Sequence, residues 1–473
     1  MRILLAVAVA TALISCNRTI EPQRSSPAVS APIVQNGQQS FAEVVERVSP
    51  AVVTIRSERR VRAPQQFPFF NDPMLREFFG LGRGGPQAPR DQIQRGLGSG
   101  VIVSEDGYVL TNHHVIDGAQ EITVEFAEGR TQKARLIGSD PPSDLAVLKM
   151  SSGRHATLPL GDSDKVRVGD VVLAVGNPLG IGQTVTSGII SAKGRRTGLS
   201  DGSFEDFLQT DAAINRGNSG GALVNTRGEL IGINSQILSP SGGNIGIGFA
   251  IPSNMAQEVR DQLVKRGKVQ RGQLGIFTQQ LTEELAESLG LKDTAGVLVS
   301  DVDRNGAAIK AGIRRGDVIR KIDNEVVNNP NALRNKIAMT SPGTEVTITL
   351  LREGKEQQIK VKLGEAQPMT APSEGGDGAP QQGGRLGISV QPVTPEIARD
   401  LGLRPDVGGL LVRDVDPSGA AAEAGVQPGD VIIEANRQPI RTTADLQKAL
   451  ERSGQAVLLI NRQGRTFFVT ARP

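Results

Sequence analysis

The chain has 473 residues, enough for about three domains of ordinary size. Lysine and arginine number 53 against 50 acidic residues. The resulting net charge of +3, together with only 3% aromatic residues, argues against a nucleic-acid-binding surface. A hydrophobic content of 38% with 22% charged residues is typical of a water-soluble globular protein.

The first sixteen residues, MRILLAVAVATALISC, have the pattern of an export signal. Arg2 is followed by an apolar run that is too short to span a bilayer as a helix, as in a cleaved signal peptide. LISC resembles the lipobox of bacterial lipoproteins, so we expect acylation of Cys16, which would anchor the chain to a membrane. The alternative is ordinary cleavage near ATA, which would discard Cys16. Both alternatives predict export to the periplasm. The single cysteine excludes an intramolecular disulfide.

Residues 17–40 are polar and contain prolines, which predicts a tether. From Phe41 onward, short β-branched runs alternate with glycine and asparagine, from AVVTIRS to IGIGFAI at 245–251. This spacing predicts an all-β barrel or sandwich rather than alternating strands and helices. Within this block, residues 57–95 are predicted to form a long irregular loop, of a kind that is often functional or disordered.

The C-terminal half contains an internal repeat. LGI at 274–276 recurs at 386–388, and DVDRNGAAIKAGIRRGDVI recurs as DVDPSGAAAEAGVQPGDVI. A separation of 112 residues between the LGI motifs is too long for a solenoid, so it indicates two tandem copies of one domain. Each copy is predicted to contain a short helix ended by glycine. Residues 366–383, rich in Pro, Gly and Gln, are predicted to be a linker.

Ser219 lies between glycines in NRGNSGGA at 215–222. This pattern matches the nucleophile elbow of α/β-hydrolases as well as the serine loop of chymotrypsin-like proteases. A serine nucleophile needs a histidine base and a carboxylate that orients the base. The three histidines are His113, His114 and His155, and all precede Ser219. The hydrolase order, with histidine last, is therefore excluded.

Two strand ends offer a base and a carboxylate in the order His–Asp–Ser. GYVLTNHHVI places His113 and His114 at the end of a predicted strand, and SDPPSDLAVLKM places Asp140 and Asp144 before another. This order is that of chymotrypsin-like proteases. Spacing alone does not choose between the two members of either pair.

TNHHVI, SDLAVLK and NRGNSGGAL, in this order, resemble the HtrA/Deg family of exported serine proteases, Do-type and DegP/DegQ-like, and the tandem repeats resemble PDZ domains. The resemblance covers nearly everything from Phe41 to Pro473. It implies a mainly β fold, with a chymotrypsin-like double β-barrel protease domain at 41–256. Two small α+β PDZ domains would follow at 268–365 and 384–473.

The resemblance also chooses among the candidate site residues. In the family, the histidine before valine is the base and the aspartate of S-D-[LI]-A is the carboxylate, which implies His114 and Asp144 beside the nucleophile Ser219. The backbone amides of Gly217 and Ser219 would form the oxyanion hole. GINSQIL would border the S1 pocket with Ile237 as a wall, which predicts cleavage after small or medium aliphatic residues.

The carboxylate-binding loops of the PDZ domains correspond to two triplets. These are Leu274, Gly275 and Ile276 in the first copy, and Leu386, Gly387 and Ile388 in the second. Such loops bind the C-terminus of a peptide that adds as a strand to a sheet edge. The implied partners are unfolded or misfolded proteins, and the family implies a homotrimer or a higher oligomer. No motif for ATP or metal binding is present, so we expect no cofactor, no metal and no nucleic-acid partner.

The sequence therefore predicts an ATP-independent serine endoprotease that degrades misfolded or damaged proteins in the cell envelope. Two alternatives remain open. The chain could act mainly as a periplasmic chaperone or holdase, which the two peptide-binding copies would support. It could also be a regulatory protease that cuts one specific signalling protein.

Overall fold

A computed structural model describes residues 34–35, 38–61, 92–151, 153–177, 182–197, 204–215, 217–239, 243–366, 386–401, 403, 408–450 and 456–472. Several sequence-based predictions lie outside the described residues. They are the signal peptide with Cys16, most of the tether, residues 62–91 at the centre of the predicted loop, and nearly all of the linker.

The first six-stranded unit is a closed antiparallel barrel. A hairpin of β1 (Val34–Gln35) and β2 (Gln38–Gln39), a helix at Ala42–Val48 and a 3₁₀ turn at Ser49–Ala51 precede it. Its strands are β3 (Val52–Val61), β4 (Gln92–Ile102), β5 (Tyr108–Thr111), β6 (Glu121–Glu125), β7 (Thr131–Asp140) and β8 (Leu145–Met150). They close in the order β3-β4-β5-β8-β7-β6. Buried apolar side chains such as Ile55 and Leu148 fill the interior.

The predicted irregular loop at 57–95 is too long at both ends. Ser57 pairs with Gly96 and Val61 pairs with Gln92, so β3 and β4 continue into it as one antiparallel ladder. An antiparallel strand pair can carry polar side chains on the face that does not pack, and its sequence then resembles that of a loop. Ser57 itself is buried and donates a hydrogen bond to the carbonyl oxygen of Val115 at 2.7 Å.

A second closed barrel follows. Its strands are β9 (Val171–Gly176), β10 (Thr184–Arg195), β11 (Phe207–Thr210), β12 (Ala222–Asn225), β13 (Leu230–Ile237) and β14 (Gly248–Pro252), in the order β10-β11-β14-β13-β12-β9. A 3₁₀ turn at Ser163–Lys165 precedes it, and a helix at Ser253–Arg266 follows it and packs into the core that both barrels share. The predicted double β-barrel is confirmed.

Two smaller α+β units repeat one topology. The first contains β15 (Gly272–Gln273), β16 (Ile276–Gln280), β17 (Val297–Val302), β18 (Val318–Ile322), β19 (Glu325–Val326), β20 (Glu345–Arg352), β21 (Lys355–Lys362) and β22 (Gly364–Glu365), with helices at Glu283–Ser288, Ala307–Ala311 and Pro330–Met339. The second contains β23 (Ile388–Pro392), β24 (Leu410–Val415), β25 (Val431–Ala435), β26 (Gln438–Pro439), β27 (Ala456–Arg462) and β28 (Arg465–Ala471), with helices at Pro395–Asp400, Ala420–Glu423 and Thr443–Leu450. The orders β16-β17-β18-β20-β21 and β23-β24-β25-β27-β28 correspond strand by strand, as the internal repeat predicts.

The first small unit contacts the barrels through a buried ion pair. Arg271 donates to Asp140 at 2.7 Å, and the two side chains are 8% and 6% exposed. The Arg271 guanidinium also lies 4.3 Å from the ring centroid of Phe204. Next to this ring, Asn335 donates to the carbonyl oxygen of Glu205 at 2.8 Å. The contact therefore reaches the turn that leads to Asp144, four residues after Asp140.

The two small units also contact each other. The Gln279 side chain accepts from the amide of Phe468 at 2.8 Å and donates to its carbonyl oxygen at 2.7 Å. Arg315 forms an ion pair with Glu434 across the same boundary. A buried apolar cluster that includes Leu285 and Leu459 lies beside these contacts.

Candidate active site

Asp144 ends a tight turn built by the sequence DPPSD. Asp140 accepts a hydrogen bond from the amide of Ser143 at 3.2 Å, and two prolines begin the short 3₁₀ helix Pro141–Ser143. Asp144 then has a φ of 54°, in the left-handed region that aspartate tolerates better than most residues. Its carbonyl oxygen accepts from the amide of His113 at 3.1 Å, so the turn is fixed against the histidine segment.

His114 lies in the helical turn His113–Ile116, directly after β5. Its Nδ1 lies 2.9 Å and 3.0 Å from the two carboxylate oxygens of Asp144, and its amide donates to the same carboxylate at 3.0 Å. A carboxylate only accepts hydrogen bonds, so in the neutral imidazole Nδ1 carries the proton and Nε2 has the free lone pair. Buried Asn112 donates to the Asp144 carbonyl oxygen at 3.0 Å and supports this arrangement.

The other members of the two candidate pairs lie elsewhere. His113 Nε2 is 3.7 Å from Asp117, and its buried Nδ1 has no hydrogen-bond partner among the described residues. Asp140 pairs with Arg271 in the buried contact described above. The structure therefore brings His114 and Asp144 together and leaves His113 and Asp140 outside the pair.

Ser219 is half-buried in the loop between the segment 204–215 and β12. Its hydroxyl donates to the carbonyl oxygen of Ser235 in β13 at 2.9 Å. Within the described part of the chain, no hydrogen bond joins this hydroxyl to His114. The hydroxyl of Ser235 donates to the Asp144 carboxylate at 3.0 Å. Ser235 thus contacts both the expected nucleophile and the expected carboxylate.

The amides of Gly217 and Ser219 donate no hydrogen bond to any residue that the structure describes. Gly217 has a φ of 100° and Gly220 a φ of 83°, values that favour glycine. A Cβ atom on Gly220 would lie 2.1 Å from the carbonyl oxygen of Ser99, so a side chain there would displace the loop. These glycines permit a backbone in which both amides remain without an acceptor among the described residues.

Ile237 is the last residue of β13, is half-buried and packs against the apolar cluster of the second barrel that contains Ile214. It pairs with Gly248 across the sheet. The side chain of Ile214 lies 3.0 Å from where a Cβ of Gly248 would stand. Ile214 and Ile237 thus place two aliphatic side chains in this region.

The two predicted carboxylate loops have the same construction. Gly275 and Gly387 have φ values of 76° and 69°, and each directly precedes an edge strand, β16 or β23. The carbonyl oxygens of Leu274 and Leu386 accept from the amides of Ala308 at 2.8 Å and Ala421 at 3.1 Å. Ile276 and Ile388 begin the strands themselves. No described residue accepts from the amides of Leu274, Gly275, Leu386 or Gly387.

Sequence reasoning missed several residues of this region. Gly306 and Gly419 touch Gly275 and Gly387, because a Cβ on Gly275 would lie 2.8 Å from Gly306 Cα and one on Gly387 would lie 3.0 Å from Gly419 Cα. The shared glycine of RNGAA and PSGAA was the available signal. Ser235, inside the GINSQIL segment, had no such signal.

Among the described residues, no cluster of three or more His, Cys, Asp or Glu side chains could hold a metal ion. In the same part of the chain, no helix is long and apolar enough to cross a membrane.

Comparison with known proteins supports the same domain types. The trypsin-like peptidase domain matches residues 98–233, and PDZ domains match residues 272–363 and 411–462. "Probable periplasmic serine endoprotease DegP-like" of Chlamydia trachomatis is 43% identical over 446 residues, which covers 91% of this chain and 88% of the relative. "Probable periplasmic serine protease do/HhoA-like" of Haemophilus influenzae is 42% identical, over 91% of this chain and 91% of the relative. The solved HtrA-type protease AlgW with a decapeptide is 46% identical, with a TM-score of 0.55, over 70% of this chain and 100% of that chain.

The double barrel, the peptidase-domain match and the two PDZ matches define a chymotrypsin-like serine endopeptidase with two PDZ domains. The chain belongs to the HtrA/Deg family of serine endoproteases, since it is more than 40% identical to DegP-like members over nine tenths of its length.

Proposed function

We propose that His114, Asp144 and Ser219 form the catalytic triad of an ATP-independent endoprotease that degrades misfolded or damaged proteins in the cell envelope. The observation that carries this proposal is the position of Ser235. Its hydroxyl bonds Asp144 at 3.0 Å and its carbonyl oxygen bonds Ser219 at 2.9 Å. The expected nucleophile and the His114–Asp144 pair therefore share one neighbour.

The chemistry follows from the hydrogen bonds. The Ser219 hydroxyl must leave the Ser235 carbonyl and turn towards His114 Nε2, which has the free lone pair. Nε2 takes the proton as Oγ attacks the scissile carbonyl and later gives it to the leaving amine. His114 then takes a proton from a water molecule that attacks the acyl-enzyme, and it returns this proton to Ser219 Oγ as the ester bond breaks and the acid product leaves. Asp144 holds the imidazole tautomer and stabilises the imidazolium that forms.

The amides of Gly217 and Ser219 would donate to the oxyanion of the tetrahedral intermediate. Such donors act where charge develops, and the loss of one typically lowers the rate by about 10²–10³. The aliphatic walls near Ile237 support a preference for Val, Ile or Ala before the scissile bond.

The PDZ domains would bind apolar C-termini or extended segments of substrates. β16 and β23 are edge strands of their sheets in the described part of the chain, so a peptide can add beside each. The amides of Leu274, Gly275 and Ile276 would receive its carboxylate in the first domain. Tethering a substrate in this way raises its effective concentration at Ser219.

The organisation of the whole chain is part of the proposal. We expect a signal peptide at 1–16, a protease domain at 41–256 and PDZ domains at 268–365 and 384–473. We also expect the mature chain in the periplasm, which the periplasmic names of the relatives support. We further expect a homotrimer or larger assembly, and a lipid on Cys16. Radiolabelled palmitate should enter the wild type and not Cys16→Ser.

The test is digestion of casein by the mature chain beside Ser219→Ala, without ATP or metal, at low and raised temperature. We expect cleavage by the wild type alone, faster for casein than for a tightly folded protein of similar size. A peptide ending in Val should bind the PDZ domains more tightly than its C-terminal amide. Equal digestion by Ser219→Ala would overturn the triad, and suppressed aggregation without cleavage would favour a chaperone.

A further inference from the structure

Ser99 lies outside the proposed triad, yet it contacts both residues of the proposed oxyanion hole. It sits in β4 of the first barrel and is fully buried. Its amide donates to the carbonyl oxygen of Ser219 at 2.8 Å, and its hydroxyl donates to the carbonyl oxygen of Gly217 at 2.6 Å. The nucleophile loop of the second barrel is thus held by a residue of the first.

The remaining polar groups of Ser99 are also used. Its hydroxyl accepts from the amide of Asn177 at 2.9 Å, and its carbonyl oxygen accepts from the Thr111 hydroxyl at 2.7 Å. A buried hydroxyl with a donor and an acceptor on fixed backbone has one favourable rotamer. Ser99 is therefore a rigid element against which the loop can be positioned.

The two bonds hold the backbone on both sides of a functional amide. The Ser219 N–H belongs to the peptide that joins residues 218 and 219. The carbonyls of Gly217 and Ser219 belong to the peptides before and after it. Gly217 has a φ of 100° and, as a glycine, could rotate its neighbouring peptide planes at low cost unless they are fixed. Fixing both carbonyls against the first barrel limits rotation of the 218–219 peptide that lies between them, and therefore of the Ser219 N–H.

We propose that Ser99 is a positioning residue for the oxyanion hole, acting through the carbonyls of Gly217 and Ser219 and not through the substrate. This inference rests on the proposed function, because it takes those two amides as the oxyanion donors. Ser99→Ala keeps the amide bond to Ser219 and removes the hydroxyl bond to Gly217.

Ser99→Ala should weaken stabilisation of the oxyanion, which exists in the transition state and not in the bound substrate. It should therefore lower kcat and leave KM nearly unchanged. Loss of a whole oxyanion donor lowers kcat by about 10²–10³, and a donor that is loosened but retained should cost about 10- to 100-fold. KM should change by less than about twofold, because ground-state binding does not use the oxyanion. A peptide boronic acid should lose affinity by the same factor as kcat. In a Ser219→Ala background, the uncleaved peptide should bind equally well with and without the Ser99→Ala substitution.

Thr54→Val is the matched control. Thr54 is buried, faces Ser99 across the β3–β4 pair, and its hydroxyl accepts from the Asn177 side chain at 2.6 Å. Among the residues that the structure describes, it has no hydrogen bond to the nucleophile loop. The two variants should lower the unfolding temperature to a similar extent, and only Ser99→Ala should lower kcat and boronate affinity. If Ser99→Ala is not recovered folded, Ser99→Gly provides the same comparison.

Equal kcat and boronate affinity in the Ser99 and Thr54 variants, with Ser219→Ala inactive, would overturn the role of Ser99 and leave the triad standing. Full activity of Ser219→Ala would instead overturn the proposed function on which this inference rests. A KM increase without a kcat change would also contradict it, because it would assign Ser99 to substrate binding.

Discussion

The carbonyl oxygen of Ser235 accepts a hydrogen bond from the Ser219 hydroxyl at 2.9 Å, so the expected nucleophile is held by β13 and not by His114. In the same structure His114 is already paired with Asp144 at 2.9 Å. The hydrogen bond between His114 and Asp144 is thus present although Ser219 does not yet contact His114. A rotamer change at Ser219 is the step that would complete the set.

Ser235→Ala should slow the reaction in a protein that still folds. It removes the donor to Asp144 and keeps the carbonyl that holds Ser219. A hydrogen bond to a charged group contributes about 1.5–3 kcal/mol, so we expect kcat/KM to fall about tenfold or more. Ser253→Ala is the control, since it removes a hydroxyl bond of 2.7 Å to Gly161 away from the site. Equal peptidase activity in the two variants would contradict the role of Ser235.

The order of the proposed triad could be predicted from the sequence because it depends on residue identities and on strand ends. His114 and Asp144 follow and precede strands that hydrophobic patterning reveals. Ser99 and Ser235 could not be found in this way. Their roles arise from contacts 118 and 91 residues away along the chain, and an isolated serine in a strand carries no local signal. The outer ends of β3 and β4 were missed because most of their residues are polar, as in a loop.

Arg271→Ala should destabilise the contact between the protease and first PDZ domains. It leaves the Asp140 carboxylate buried without its partner, and breaking such a buried pair typically costs about 3–5 kcal/mol. Urea unfolding of the protease domain would show a lower midpoint, and Arg271→Met with Asp140→Leu should recover part of it. Lys133→Ala, which breaks a pair with exposed Glu121, should leave the midpoint unchanged. No coupling between Arg271 and Asp140 in the double variant would disprove the prediction.

Gly275→Ala should damage the first PDZ domain more than Gly290→Ala. Both glycines have left-handed φ values, 76° and 70°, which cost a non-glycine residue about 1–2 kcal/mol. Only Gly275 is also crowded, since its Cβ would lie 2.8 Å from Gly306 Cα, whereas Gly290 has no atom within 4 Å. Titration with a labelled Val-ending peptide should show binding at both PDZ domains in Gly290→Ala, and binding at the second domain alone in Gly275→Ala. Similar affinities would mean that this loop does not bind the carboxylate.

Asp206→Asn should stabilise the protein at neutral pH. Burial raises the pKa of Asp206 above its ordinary value of 3.8, and the nearby Asp164 carboxylate adds to the shift. Because the folded pKa is the higher one, wild-type stability falls as the pH rises from the ordinary value through the raised value. The gain in unfolding temperature should thus be present at pH 7 and absent near pH 3.5. A gain that is equal at both pH values would show that the charge of Asp206 is not its cause.

Labelling with a fluorophosphonate, followed by peptide mass spectrometry, tests the catalytic assignment most directly. The reagent modifies only a serine that a neighbouring base activates. The wild type and His113→Ala should carry the adduct on Ser219, whereas Ser219→Ala and His114→Ala should remain unmodified over the same time. Labelling that persists without Ser219, or that depends on His113 rather than His114, would contradict the account.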